Sequence, residues 1–310
     1  MVRQGFDTDR LPSAGTPDDA DDSSGYILDT SRDEMIDFND LFSSQFSNIS
    51  VIYESVNGAT RLYTATRFGK KFVLKGLKEQ FRSDPIRNLA LAKEFEIGIS
   101  LDHPNIRRTL SLEDIDGIGR VIVLEYVDGN PLSQLIRDRS LSSDSARFIA
   151  AQFTDALAYI HSKQVFHRDL KPDNIIVSFT GNVVKIIDFN YSDSTGFVVL
   201  KNPAGTLKYV APEIRESGVP ATAASDIFSL GVILDEMSAV TSDHILADIA
   251  GKCMQPSPSR RPRSAALIRI PGSDNALSRF LSSTLLTVIM LCICIALAAA
   301  IGIRLLPSLT

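Results

Sequence analysis

Between Ser50 and Val127 the β-branched and aromatic residues gather in short runs, "VIYESV", "TRLYTATR", "KKFVLKGL" and "GRVIVLEYV", with turn-forming residues between them. Such runs predict strands. One segment inside this region, "PIRNLALAKEFEIGISL" from Pro85 to Leu101, has helical spacing instead. Beyond Asp128 the character reverses: "PLSQLIRDRS" and "SARFIAAQFTDALAYIHSKQ" read as helices, followed by short strands and then more helices. The pattern predicts an α+β, bilobal chain, with a small β-rich lobe over 48–127 that carries one helix and a larger helical lobe over 128–270.

The flanks read differently. Residues 1 to about 32 are rich in Asp, Ser, Gly and Thr and hold too few large apolar groups to offset the entropy of ordering, so they read as disordered. In "SRDEMIDFNDLFSSQF", Ser31 and Glu34 have capping-box spacing, and Met35, Phe38 and Phe42 recur at helical intervals. Residues 1–47 are therefore expected to be an acidic segment with one short amphipathic helix, which either packs on the body or serves as a docking element. At the other end, 271–279 reads as a linker. Phe280 to Ile303 are 24 consecutive uncharged residues, more than the roughly 20 that a spanning helix needs. Five arginines, Arg260, Arg261, Arg263, Arg269 and Arg279, precede that run and only Arg304 follows it. The positive-inside rule then keeps the preceding body cytoplasmic, with 280–303 a single-pass C-terminal anchor in the lipid bilayer and 304–310 a short tail.

Composition narrows the classes. At 310 residues and 44% hydrophobic content, each lobe can bury a core of its own. The formal charge is −5, yet residues 1–47 alone hold 11 acidic and 3 basic side chains, so the remainder is slightly positive. Basic residues cluster only in the short "SRRPR" run, Ser259 to Arg263, which argues against a nucleic-acid partner. Three cysteines, two of them inside the apolar run, make no disulfide framework and point to a reducing compartment.

The chemistry is concentrated in "HRDLKPDN", His167 to Asn174, and in motifs at defined distances from it. Together these resemble the eukaryotic-type (Hanks-type) Ser/Thr protein kinases over about residues 50 to 270. The resemblance implies ATP and Mg2+, with Mn2+ as a substitute, and protein substrates. It implies that Asp169 accepts or orients the proton of the acceptor hydroxyl, that Lys171 neutralises charge on the transferring phosphoryl, and that Asn174 and Asp188 are the metal ligands. Lys75, ending a strand-like run, matches the family lysine that pairs with the α- and β-phosphates. Its acidic partner is expected at Glu94, with Glu96 on the same helix as the alternative. Leu62, Val73 and Ile176 would sandwich the adenine, Leu124 would lie behind it, and the backbones of Glu125 and Val127 would hydrogen-bond it.

"GTLKYVAPE", Gly205 to Glu213, resembles the substrate-binding loop of that family. There Thr206 would bond toward Asp169 and Lys171, Glu213 would pair with Arg261, and Asp226 would anchor the backbone of the catalytic loop. Arg168 beside Asp169 implies control by phosphate on the following loop, with Ser192, Ser194 and Thr195 the candidate phosphorylation sites and autophosphorylation the expected route. The pattern also departs from the family. Ser55, Asn57 and Thr60 stand at the glycine positions of the phosphate-covering loop, Gly98 stands where a bulky apolar residue is usual, and Asn190 replaces the glycine after Asp188 and Phe189. Arg261 lies only 35 positions after Asp226, so a helix after "GVILDEM" is expected to be lost or shortened. The sequence thus reads as a membrane-anchored Ser/Thr protein kinase, with a nucleotide-binding pseudokinase scaffold as the alternative.

Overall fold

The computed structural model describes residues 45–56, 58–189, 193–194, 207–215 and 221–272. The expected amphipathic helix with Met35, Phe38 and Phe42, the residues Asn57, Asn190, Ser192, Thr195 and Thr206, and the apolar run 280–303 lie outside the described residues. Among the described residues no helix is long and apolar enough to cross a membrane.

The smaller lobe is one antiparallel sheet in the order β1-β2-β3-β5-β4, built from β1 (Ser47–Glu54), β2 (Thr60–Arg67), β3 (Lys70–Leu77), β4 (Thr109–Ile115) and β5 (Gly119–Glu125). Strand β4 falls in "TLSLEDI", which does not stand out in the sequence as a β-rich run. It lies on the sheet edge, and its half-exposed Ser111 and Glu113 and exposed Asp114 dilute the signal of Leu112, which packs inward.

Alternation along the strands gives the sheet two apolar faces. On one, Leu62, Val73, Leu77, Ile122 and Leu124 pack against Leu91 of helix α1 (Pro85–Ile99). Asp84 starts that helix, its Oδ1 accepting from the backbone N–H of Ile86 at 2.9 Å, with Pro85 at the first helical position, where its missing N–H is tolerated. On the other face Tyr63, Ala65, Leu74, Val121 and Val123 are buried beneath Phe46, whose ring carries the Arg67 guanidinium at 4.1 Å. Arg67 in turn pairs with Glu113 of β4 at 2.9 Å.

The larger lobe begins with β6 (Gly129–Pro131), α2 (Leu132–Arg137) and α3 (Ser143–Ser162), the last started by a reciprocal Ser142–Ser145 capping box. Two short sheets follow. One pairs β7 (Val165–Phe166) with β10 (Asp193–Ser194), and the other has the order β6-β8-β9, with β8 Ile175–Ser178 and β9 Val184–Ile186. Then come α4 (Pro212–Arg215), α5 (Ala223–Thr241) and α6 (His244–Cys253). Apolar nearly all round, α5 is buried along most of its length, as such a helix must be. Its Leu230, Ile233, Leu234 and Met237 share one core with Phe153, Leu157 and Ile160 of α3. Only Ser242 and Asp243 separate α5 from α6, with Ser242 in the left-handed region and Asp243 capping the second helix, so no further helix stands between them.

A parallel bridge, Ile106 with Ile186, joins the lobes. There the N–H of Ile186 donates to the carbonyl of Asn105 at 2.9 Å and the N–H of Arg107 donates to that of Ile186 at 3.0 Å. The bridge lies two residues before Asp188, so it fixes the distance between that carboxylate and the smaller lobe.

Candidate functional site

The segment after β7 is held from below by a carboxylate. Asp226, fully buried on α5, accepts at Oδ2 from the backbone N–H of His167 at 2.8 Å and from His161 Nε2 at 3.0 Å, and at Oδ1 from the N–H of Arg168 at 2.9 Å. Burial alone would raise this carboxyl, but the hydrogen bond and charge of His161 outweigh it and keep it low. These bonds matter because Arg168 has φ 67, a left-handed backbone that costs an L-residue roughly 1–2 kcal/mol. The His167 ring stands 5.1 Å from that of Phe189 and donates through Nε2 to the carbonyl of Ile187 at 3.1 Å. The loop after β7 and the segment after β9 are thereby locked together.

On that platform Asn174 Nδ2 donates to the Asp169 carbonyl at 2.7 Å and to its Oδ2 at 3.1 Å. Lys171 Nζ lies 3.6 Å from the same Oδ2. Burial raises the Asp169 carboxyl, and the nearby Lys171 charge opposes this without cancelling it. Asp169 is thus a partly desolvated carboxylate at the cleft with one cation and one amide directed at it.

From the smaller lobe, Lys75 on β3 bridges two carboxylates, Glu94 Oε1 and Asp188 Oδ1, each at 2.6 Å. Burial would lower this ammonium, but the charge of Asp188 and then that of Glu94 raise it well above its ordinary value. Asp188 itself would be raised by burial, and the Lys75 ammonium instead holds it well below the usual carboxylate range. For Glu94 burial wins and the carboxyl lies above its ordinary value despite Lys75. Glu96, the alternative partner, is exposed and pairs with Lys93 at 2.8 Å.

The other candidate residues fall into two groups. Leu62, Val73 and Leu124 share one apolar cluster above the site. Among the described residues Ile176 stands apart from that cluster, half-buried on β8 in register with Lys185. Glu125 holds Lys185 at 3.0 Å and accepts from the N–H of Arg108 at 3.0 Å, and Val127 is buried just beyond it. Deeper in the larger lobe Glu213 and Arg261 form a two-pronged pair, Oε1 to Nη1 and Oε2 to Nη2, both 2.7 Å. Ser194 lies on β10, in register with Val165. At the β1–β2 turn the N–H of Gly58 donates to Ser55 Oγ at 2.9 Å, and Lys78 Nζ reaches the Ser55 carbonyl.

Two residues near the cleft carry more than the sequence reading assigns to them. Arg107 is 7% exposed and lines one cavity with Glu94, Gly98, Thr109 and Asp188. Nothing in "HPNIRRTL" separates it from an ordinary surface arginine. Gly98 reads from sequence as a thin spot, whereas in the fold it is a point of close approach: a Cβ there would lie 2.2 Å from Thr109 Oγ1 on β4.

Asp188, Asn174 and Asp169 offer only oxygen as ligand atoms, the donor type that a hard divalent cation prefers. Among the described residues no group of three His, Cys, Asp or Glu could hold a metal by itself. Mg2+ usually takes one or two protein oxygens and completes its shell with water and phosphate. The cationic Lys75 beside them suits a polyphosphate.

Comparison with known proteins agrees with this arrangement. The sequence model described as "Protein kinase domain" matches residues 50–271. Relatives include serine/threonine-protein kinase 36 of Pongo abelii, 37% identical over 184 residues, which are 58% of this chain and 13% of that protein. Serine/threonine-protein kinase PkaA of Streptomyces coelicolor is 30% identical over 232 residues, 65% of this chain and 42% of the relative. Serine/threonine-protein kinase PrkC of Bacillus subtilis is 34% identical over 172 residues, 54% of this chain and 26% of the relative. The chain spans less than half the length of each of these relatives.

Proposed function

The chain belongs to the protein kinase domain family, and from that premise we propose that it transfers the γ-phosphate of ATP to serine or threonine hydroxyls of proteins, itself included. The observation that carries this reading is Lys75 bonded at once to Glu94 and Asp188, opposite an Asp169 whose backbone and side chain are both fixed by Asn174. Phosphoryl transfer asks a protein for position and charge more than for covalent chemistry, and these residues supply both.

When bound, ATP with its Mg2+ would supply the reactive phosphoryl group and a cation to offset its charge. Asp188 and Asn174 would offer oxygen ligands to that cation. Lys75 has three N–H donors, two engaged by carboxylates, and the third would be available to the α- and β-phosphates. Asp169 orients the acceptor hydroxyl and takes its proton, and its raised affinity for protons makes it a better acceptor than a solvated carboxylate. Lys171, close to the same carboxylate oxygen, compensates charge where the phosphoryl group passes. Leu62, Val73 and Ile176 sandwich the adenine, and the backbones of Glu125 and Val127 bond its edge.

The same reading includes a membrane location, with residues 280–303 a C-terminal anchor in the lipid bilayer and the catalytic body cytoplasmic. Its support is the uncharged run itself and the arginines that precede it. Ser192, Ser194 and Thr195 are the proposed acceptors of autophosphorylation. The test is the full chain incubated with labelled ATP and Mg2+ beside Asp169→Ala. The expected outcome is label on the protein and on an added Ser/Thr substrate, and no label with Asp169→Ala. Equal label in both preparations, or none in either while ATP still binds, would favour the nucleotide-binding scaffold instead.

A further inference from the structure

One cavity is lined by three charged side chains, Arg107, Glu94 and Asp188, the last two also bonded to Lys75, and Arg107 is the one for which the proposed chemistry provides no role. Its backbone is pinned: the N–H donates to Ile186, whose own N–H donates to Asn105, one residue past Pro104. Arg107 therefore stands beside the strand that leads into Asp188, and its side chain, 7% exposed, lines the cavity that Glu94 and Asp188 also line. A guanidinium is not removed from water at such a place unless anions compensate it. The carboxylates of Glu94 and Asp188 line the same cavity and bring negative charge to it, and the Arg107 charge favours their ionised forms, less strongly than Lys75 does. Gly98, which lines the same cavity, has no side chain and so lets α1 close onto Thr109 of β4.

We propose that Arg107 is a second counter-ion of the Glu94–Asp188 pair, a positioning residue that leaves Lys75 free to share its charge with a phosphate. With Arg107 present the four charges sum to zero, and an incoming polyphosphate meets a balanced site. Without it, two carboxylates compete for one ammonium, Lys75 is held more tightly by them, and the site is net negative where the phosphates must lie. Arg107 touches neither nucleotide nor acceptor and acts through the other three.

The inference rests on the proposed nucleotide site, and the test separates the two. ADP, without divalent metal, and adenosine, which has no phosphate, are titrated calorimetrically into the full-length wild type, Arg107→Met, Arg107→Gln and Arg107→Lys. The expected result is ADP affinity about tenfold weaker in the two neutral variants and within about threefold of wild type in Arg107→Lys, with adenosine affinity unchanged throughout. A wild type that binds neither ligand overturns the nucleotide site itself. ADP affinity unchanged in a neutral variant, or ADP and adenosine weakened equally, overturns the role of Arg107 alone, because loss of packing would affect both ligands. The two neutral variants differ in polarity, so the comparison does not depend on one of them folding. As a further readout, hydrogen exchange in α1 should rise in the neutral variants and not in Arg107→Lys.

Discussion

At the scale of single residues the fold contains buried charge held by paired counter-charges. Glu213 and Arg261 are the plainest case: the guanidinium side chain is 0% exposed, meets both carboxylate oxygens, and also donates to the carbonyls of Gln255, Ala224 and Pro256. Burial would raise the Glu213 carboxyl, yet the bonds from Arg261 hold it below the ordinary 4.5. A carboxyl whose folded affinity for protons is depressed stabilises the fold above its unfolded pKa, and the contribution is lost as pH falls through the lower folded value. Glu213→Gln should therefore cost about 3 kcal/mol at pH 7, the low end for a broken buried pair, since Arg261 keeps its three carbonyl acceptors. The gap in Tm between the two proteins should narrow as pH falls below 4.5. Thermal melts of both proteins at several pH values check this, and a gap that widens in acid would show that the pair does not stabilise the fold.

At the scale of elements, the junction of α5 and α6 shows what a short connection demands. With two residues between them, the helices fold back at close range, and Gly231 marks the contact: a Cβ there would lie 2.7 Å from Cys253 Cβ and 3.1 Å from the backbone N of Met254. Backbone cannot rotate away as a side chain can. Gly231→Val should lower stability by about 1–3 kcal/mol through overpacking. Gly251, with nothing within 4 Å of its notional Cβ, supplies the control: Gly251→Ala should be neutral or stabilise by up to about 1 kcal/mol through helix propensity. Denaturant melts of the two variants decide the matter, and equal effects would remove the packing account. The sequence made α1, α3 and α5 legible, because each carries a long apolar pattern or a cap, and the order and spacing of Lys75, Glu94, Asp169 and Asp188 were legible along the chain. Strand β4 was not, being a polar-faced edge strand. Arg107 and Gly98 were not either, since the burial of an arginine and the approach of a helix to a strand are set by elements far apart in sequence.

At the scale of the whole molecule, the proposed anchor would set where the chemistry can act. The described body ends at Gly272, and seven residues, 273–279, separate it from Phe280. Fully extended they reach at most about 25 Å, so the catalytic cleft would stay within roughly one domain diameter of the bilayer and its substrates would be membrane-proximal proteins. Two attractions could hold the chain there, and they respond differently to salt. Arg260, Arg263 and Arg269 are exposed near the end of the body and could meet anionic headgroups. Arg261 could not, being spent on Glu213. An attraction of that kind is screened within about 8 Å at physiological ionic strength and fades in 1 M salt, whereas insertion of 24 uncharged residues does not. The proposed anchor therefore predicts that the full chain, reconstituted with phosphatidylcholine vesicles that contain anionic phosphatidylglycerol, floats with them in 1 M NaCl, while the chain ending at Gly272 stays at the bottom of the gradient. Release of the full chain by salt would assign the association to the arginines, and a truncated chain that still floats would assign it to the body. Either result would remove the anchor and, with it, the confinement of the substrates to the membrane surface.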